Sequence, residues 1–159
     1  MAHDSSRSRT CGALGAATRR ADRRRATRLG VIYLDSCIVI YAVEDEGPRG
    51  AMIRQRLADS GSTEVAISHL VTMECLVGPM RNDNLALHDH YLRALARFTM
   101  LELGQDQFRR GAQLRAAHGL RSPDALHLAA AQLSGCDEVW TNDARLTAAA
   151  RGLAVDVLA

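Results

Sequence analysis

Acidic residues in apolar surroundings are the side chains of this sequence best suited to chemistry. Four of them stand out by context: Asp35 in VIYLD, Glu74 in VTMECLVG, Asp124 before ALHLAAA, and Asp143 after VWTN. An unpaired buried carboxylate is energetically costly, and several together repel one another unless a cation lies between them. Carboxylate oxygens favour hard cations such as Mg²⁺ or Mn²⁺ over Zn²⁺. Such a cluster suits hydrolysis of a phosphodiester by a metal-activated water.

The predicted positions of these acids agree with a shared site. Asp35 is the last residue of the first predicted strand, and Asp143 follows the fourth strand by two residues. Sites in open α/β sheets form at the carboxyl ends of the strands, where the loops diverge. Asp124 falls in the first turn of a helix, where the helix dipole favours a carboxylate. These three also have ordinary structural interpretations: Asp35 as a helix cap, Asp124 as a first-turn acid and Asp143 as a turn residue. Glu74, within an apolar helix, has no such interpretation.

Hydrophobic periodicity predicts strands that alternate with helices from residue 31 onwards. The strands are predicted at 31–35, 64–68, 99–103, 138–141 and 153–158, and the helices at 36–44, 48–60, 69–80, 82–98, 106–118, 122–134 and 144–151. We expect the fourth helix to begin at Asn82 or Asp83, and the Gly78-Pro79 pair to end the third. Ser122 is expected to cap the sixth. The alternation predicts an α/β fold with a mostly parallel five-stranded sheet and helices on both faces.

The composition limits the classes of protein to be considered. At 159 residues the chain suits one domain, and 47% hydrophobic but only 4% aromatic residues indicate a core of Leu, Val, Ile and Ala. So few aromatic rings argue against a surface that binds single strands by base stacking. The chain contains no Lys, which excludes a P-loop, because that phosphate-binding loop requires one.

Cysteine spacing and hydropathy predict the compartment. The four cysteines form no CxxC pair, which fits a reduced protein better than a disulfide framework or a zinc site. No apolar run approaches the length of a membrane helix, and the basic start lacks the apolar stretch of a secretory signal. We therefore expect a soluble, cytoplasmic protein.

Charge divides the chain into two parts. Residues 1–30 hold eight Arg against two Asp, whereas residues 31–159 hold 12 Arg against 16 acidic residues. The first 30 residues show no apolar periodicity, which predicts a disordered Arg-rich extension. It is interpreted either as an electrostatic arm for RNA or, preferably, as a non-native extension from an upstream start codon. The domain itself is predicted at residues 31–159.

Four segments of the sequence, in the same order, resemble the acid-bearing segments of PIN-domain ribonucleases. They are YLDSCIVIYAVE, SHLVTMECLVGPMR, RSPDALHLAAAQ and VWTNDARL. The likeness extends over the whole predicted domain and is greatest to the VapC-type toxins of bacterial toxin–antitoxin modules. It implies a three-layer α/β/α PIN-like fold, Mg²⁺-dependent endoribonuclease activity with Mn²⁺ as the alternative ion, a homodimer, and inhibition by a cognate antitoxin protein.

The resemblance also assigns roles by position. The catalytic acids would be Asp35, Glu74, Asp124 and Asp143, and the metal ligands among them Asp35, Asp124 and Asp143. Ser36 corresponds to the small polar residue after the first acid, and Thr141 to the hydroxyl residue beside the fourth. Cys37 departs from the pattern, since the family often has Asn or another small residue there, so a supporting hydrogen bond at this place is in question.

Other polar residues receive less weight from the sequence. His127 lies three residues after Asp124 and is interpreted as a packed helix residue rather than as part of the site. Five arginines are candidates for binding RNA, with no basis in the sequence for choosing among them: Arg81, Arg109, Arg110, Arg115 and Arg121.

Three alternatives to an RNA-cleaving enzyme stay open at this point. The first is a catalytically inactive PIN-like module that binds RNA or protein, although loss of an acid would be its signature and all four are present. The second is a metal-dependent phosphatase acting on small molecules. The third is a nuclease that cleaves DNA.

Overall fold

A computed structural model describes residues 30–159, so the predicted extension before Gly30 lies outside the described residues. Five strands are present in the described part: β1 (Val31–Leu34), β2 (Glu64–Ser68), β3 (Thr99–Leu101), β4 (Glu138–Thr141) and β5 (Ala154–Asp156). Seven helices connect and follow them: α1 (Ser36–Glu44), α2 (Pro48–Asp59), α3 (His69–Arg81), α4 (Leu85–Leu95), α5 (Gln105–His118), α6 (Ser122–Leu133) and α7 (Ala144–Ala149). Each corresponds to a predicted element.

The strands form one sheet in the order β3-β2-β1-β4-β5, and every described pairing is parallel. All four residues of β1 are buried, as expected for a central strand covered on both faces. The chain moves from β1 to β2 and β3 on one side, and β4 and β5 lie on the other. The carboxyl ends of β2, β1 and β4 are therefore neighbours, at the place where such sheets form their sites.

Helices cover the sheet in two groups, which confirms the predicted three-layer α/β/α architecture. Helices α1 to α4 pack against one another, and α5 to α7 form the second group. The core consists mainly of Leu, Val, Ile and Ala, as the composition predicts, together with the buried rings of Tyr33, Tyr91 and Trp140. None of the described helices is long and apolar enough to cross a membrane.

Most elements differ from the sequence predictions by one to three residues at an end: β1, β3 and β5 are shorter than predicted, and α4 ends at Leu95 instead of residue 98. Three helix boundaries differ for reasons that the structure shows. Helix α4 begins after Asn84, whose side chain accepts a hydrogen bond from the Leu87 amide, because Asp83 has a positive φ of 51° that a helix cannot include. Helix α3 continues through Pro79 to Arg81. The N-cap of α6 is Arg121 instead of Ser122, which is already helical.

Candidate metal centre

Asp35 lies immediately after β1 and is 8% exposed. Its backbone has the conformation of a helix N-cap, but its side chain makes no capping hydrogen bond to α1. The carboxylate instead accepts hydrogen bonds from the Thr141 hydroxyl at 2.7 Å, from the Cys37 thiol at 3.4 Å and from the Ser36 hydroxyl at 3.4 Å. The end of β4 and the start of α1 thus hold this carboxylate at the carboxyl edge of the sheet.

Thr141 connects the first and fourth acids. Its Oγ1 donates to Asp35 and accepts the backbone N–H of Asp143 at 3.0 Å. Asp143 caps α7 through Oδ1, which accepts from the amides of Arg145 at 2.7 Å and Leu146 at 3.0 Å. Asp143 is therefore a helix cap instead of the turn residue of its ordinary structural interpretation, and capping is compatible with a role in a site, because these bonds use only one carboxylate oxygen.

Glu74 approaches Asp35 from α3. Its Oε2 lies 2.9 Å from Nε2 of His127, and the same nitrogen lies 3.5 Å from Oδ1 of Asp35. Each of these three residues offers one atom that could bind a metal ion, and these three atoms lie within 4.8 Å of one another. The structure thus places a histidine between two of the predicted acids.

His127 is the site residue whose position the sequence interpretation missed. It is 2% exposed, so it is a packed helix residue as expected, but its ring also touches two of the predicted site acids. Its spacing from Asp124 offered a signal, because residues three apart on a helix share a face.

Two buried hydroxyl groups orient the His127 ring. The Tyr33 hydroxyl lies 2.8 Å from Nδ1 of His127 and 2.8 Å from Oγ of Ser68, and all three residues are buried. An ionised Glu74 only accepts hydrogen bonds, so Nε2 of His127 carries a proton. In the neutral ring, Nδ1 then accepts from Tyr33, and Tyr33 accepts from Ser68. In that arrangement, each of the three donors, from Ser68, Tyr33 and His127, has an acceptor.

The surroundings of Glu74 favour its charged form. Burial alone would raise the pKa of Glu74, but the hydrogen bond and the electrostatic attraction from His127, followed by a hydrogen bond from Ser36, lower it below its usual value. Cys37 behaves in the opposite way, because burial and the charge of Asp35 raise its pKa to about 12. Cys37 therefore stays a thiol that donates to Asp35, which answers the question raised by its departure from the family pattern.

Asp124 lies near the same centre, in the first turn of α6. It lines a surface depression of 290 Å³ with Arg121, Asp143, Ala144 and Arg145. Burial, followed by the charges of Asp143 and Asp35, raises the pKa of Asp124 above its usual value. The predicted acids therefore form two adjoining parts: a tight group with His127, and a pair in the depression whose charges repel.

This repulsion leads to a test on metal-free protein. The carboxyl of Asp124 binds its proton more readily in the folded state, so its charge opposes folding at pH values above the raised pKa. We expect Asp124→Asn to raise the melting temperature in EDTA at neutral pH, and the gain to shrink as the pH falls through the raised pKa. Thermal melts across pH measure both effects.

A first-turn acid without acidic neighbours serves as the control. Asp106 lies in the first turn of α5 and forms an ion pair with Arg109 at 3.9 Å. Asp106→Asn removes a favourable charge from a helix start, so it should lower or leave unchanged the melting temperature. If Asp124→Asn behaved in the same way, like-charge repulsion at this position would be refuted.

A parallel sheet with acids gathered at the carboxyl ends of its central strands defines a three-layer α/β protein with a candidate cation site. Residues 32–152 match the family model of the PIN domain, and the chain belongs to the PIN domain family. No curated protein matches it.

Several solved structures share this fold. A toxin–antitoxin complex from Klebsiella pneumoniae is 28% identical, with 79% of this chain and 97% of that chain covered at a TM-score of 0.65. VapBC2 from Rickettsia felis, bound to a DNA fragment from its promoter, is 16% identical, with 79% and 97% covered at a TM-score of 0.64. VapC20 from Mycobacterium tuberculosis, a toxin that cleaves the sarcin-ricin loop, is 17% identical, with 74% and 94% covered at a TM-score of 0.62. Within its family, the chain thus resembles the VapC-type toxins.

Proposed function

We propose that this protein is a Mg²⁺-dependent endoribonuclease that acts as the toxin of a toxin–antitoxin system. The observation that carries the proposal is the gathering of Asp35, Glu74 and His127, with Asp124 and Asp143 beside them, at the carboxyl edge of the sheet. The PIN family membership and the likeness to a toxin–antitoxin complex support it. A catalytically inactive binding module with the same fold is the alternative that the experiments below test.

The donor set suits a hard divalent cation. Asp124 carries a raised pKa because Asp143 and Asp35 add their charges to the effect of burial, and a cation between them would remove this repulsion. Carboxylate oxygens are the ligands that Mg²⁺ and Mn²⁺ prefer. We propose Asp35, Asp124 and Asp143 as the metal ligands, with Glu74 holding the metal or its water.

The residues around the ligands have defined tasks in this proposal. A bound divalent ion lowers the pKa of the attacking water and offsets charge on the phosphate. Thr141 holds Asp35 and the Asp143 backbone in register through its two hydrogen bonds. Ser36 and Cys37 donate to Asp35. The hydrogen bond from His127 favours the ionised form of Glu74, and the same ring nitrogen lies beside the Asp35 carboxylate.

The proposed partners are RNA, a cognate antitoxin and a second copy of the chain, in the cytoplasm. An apolar groove of 730 Å³ between α1, α2 and the end of α4, lined by side chains such as Val39, Leu57 and Phe98, suits an amphipathic antitoxin helix. We expect a co-expressed upstream partner, once bound, to suppress cleavage of RNA. Unchanged cleavage with the partner bound would contradict the toxin–antitoxin assignment.

Cleavage of RNA by the full chain tests the enzymatic proposal directly. The substrates are total cellular RNA, single-stranded DNA and a chromogenic phosphate ester, each with Mg²⁺, with Mn²⁺ and with EDTA. Cleavage of RNA alone, lost in EDTA and restored by excess Mg²⁺, is the expected result. Cleavage of DNA or of the small ester in preference to RNA would favour the corresponding alternative, and no cleavage by folded protein would favour the binding module.

Metal binding has a consequence that does not require a substrate. A ligand that binds only the folded state at 100 times its Kd adds about 2.7 kcal/mol of stability, which is about 5–10 °C in melting temperature for a domain of this size. We expect Mg²⁺ to produce such a rise and EDTA to reverse it. NaCl at equal ionic strength is the control. Equal rises with both salts would show that no specific cation site is present.

A further inference from the structure

Two arginines lie beside the acids of the candidate site. Arg121 precedes α6 as its N-cap, and Arg145 is the second residue of α7. Both are exposed, and both line the 290 Å³ depression that contains Asp124 and Asp143. The depression thus combines two cationic and two anionic side chains in a small volume.

Neither guanidinium group is neutralised by the carboxylates next to it. Among the described residues, no side-chain ion pair within 4.0 Å involves Arg121 or Arg145, and the side chains of both make no hydrogen bond. Both arginine side chains of the depression therefore lack an ion-pair partner among the described residues, although two carboxylates lie beside them.

Three of the other four candidate arginines already have partners within the protein. Arg109 pairs with Asp106, the Arg110 guanidinium donates to Gln132 and Gln113, and Arg115 donates to the carbonyl of Leu120. Arg81 ends α3 and does not line the depression. Of the five arginines that the sequence offered, the depression includes only Arg121, and it adds Arg145, which was not among them.

We propose that Arg121 and Arg145 form a binding site for the backbone phosphates of RNA, directly beside the acids. The inference rests on the proposed function and deepens it. A phosphodiester bound here satisfies both guanidinium groups, while a cation satisfies the carboxylates. Guanidinium groups suit this task because their N–H donors match pairs of phosphate oxygens. In a domain whose described part carries excess negative charge, such a local pair supplies attraction for a polyanion.

The test compares Arg121→Ala, Arg145→Ala and the double variant in the full chain. The backbone groups of both residues that bond to neighbouring elements stay intact, so folding should be retained. Each single variant is expected to raise KM for RNA about 3- to 10-fold, with a smaller change in kcat. Each variant should also bind RNA with a weaker salt dependence. The slope of the log association constant against the log salt concentration should become less negative by about 0.7 per arginine removed.

Arg93→Ala is the matched control, since Arg93 is exposed on α4 and does not line the depression. Binding is measured separately from cleavage, by anisotropy of a labelled RNA hairpin in an Asp35→Asn background. Equal losses in Arg93→Ala, or no loss in the two arginine variants, would overturn the inference while RNA cleavage by wild-type protein still upheld the proposed function. Absence of cleavage by wild-type protein would instead refute the function, and the binding assay would still report on the arginines.

Discussion

Asp35→Asn is expected to reduce RNA cleavage by at least about 100-fold while leaving the protein folded. The substitution keeps the shape of the side chain but removes its negative charge. Thr141, Cys37 and Ser36 donate hydrogen bonds to this carboxylate in the wild-type protein. An amide also offers one accepting oxygen where the carboxylate offers two. Single-turnover cleavage of RNA at saturating Mg²⁺ measures the loss.

The Asp35 experiment needs a readout that separates lost chemistry from lost structure. The melting temperature in EDTA should stay close to that of wild-type protein, whereas the rise produced by Mg²⁺ should disappear. Asp59→Asn is the control, because Asp59 is exposed at the end of α2 and bonds only to Gln55. Near wild-type cleavage by Asp35→Asn would rule out a metal-carboxylate mechanism at this position.

Tyr33→Phe is expected to affect both stability and rate, although the Tyr33 hydroxyl makes no hydrogen bond to any of the four acids in the described structure. The change deletes the hydroxyl that links Ser68 to Nδ1 of His127, which leaves two buried polar atoms without a partner. Each such atom costs about 1–3 kcal/mol. Loss of an outer partner of a metal site lowers activity about 10- to 100-fold.

The effect on rate follows from the His127 ring. Without the Tyr33 hydroxyl, Nδ1 loses its hydrogen-bond donor, and the ring that donates Nε2–H to Glu74 is held by one hydrogen bond fewer. ¹⁵N chemical shifts of the imidazole should show the Nε2–H tautomer in both proteins, and the Nδ1 resonance should shift in Tyr33→Phe because its hydrogen bond is lost. A lower kcat with an unchanged KM is the expected kinetic result.

Tyr91→Phe provides the matched control for this prediction. Tyr91 is also buried and also donates its hydroxyl proton, but to Glu44, which is none of the residues of the candidate centre. Urea denaturation should show a loss of stability in both variants, whereas only Tyr33→Phe should change kcat and the Nδ1 resonance of His127. Equal kinetic effects in the two variants would indicate that Tyr33 contributes only through packing, which would contradict the prediction.

The sequence was sufficient to predict the architecture. Short apolar runs such as VIYL and EVWT, separated by helices with a 3.6-residue period, specify buried parallel strands and their crossovers, and each predicted element is present. Local patterns carry this information because burial on both faces requires apolar residues throughout a strand. Helix ends were predicted less well, since Asp83 and Pro79 have conformations that depend on packing around them.

The four acids were also recognisable in the sequence. Asp35, Glu74 and Asp124 stand in apolar contexts, where a carboxylate is costly without a compensating role. Their identity as candidate site residues therefore follows from local sequence.

Only the tertiary structure decided which other side chains reach these acids. His127 meets Glu74 across 53 residues of sequence, and Tyr33 meets His127 across 94. Arg145 joins Arg121 in one depression because α6 and α7 pack together. Such contacts depend on the strand order and on the directions of side chains at helix ends. A local pattern does not contain this information, because hydrophobic periodicity specifies which face is buried but not which polar groups meet there.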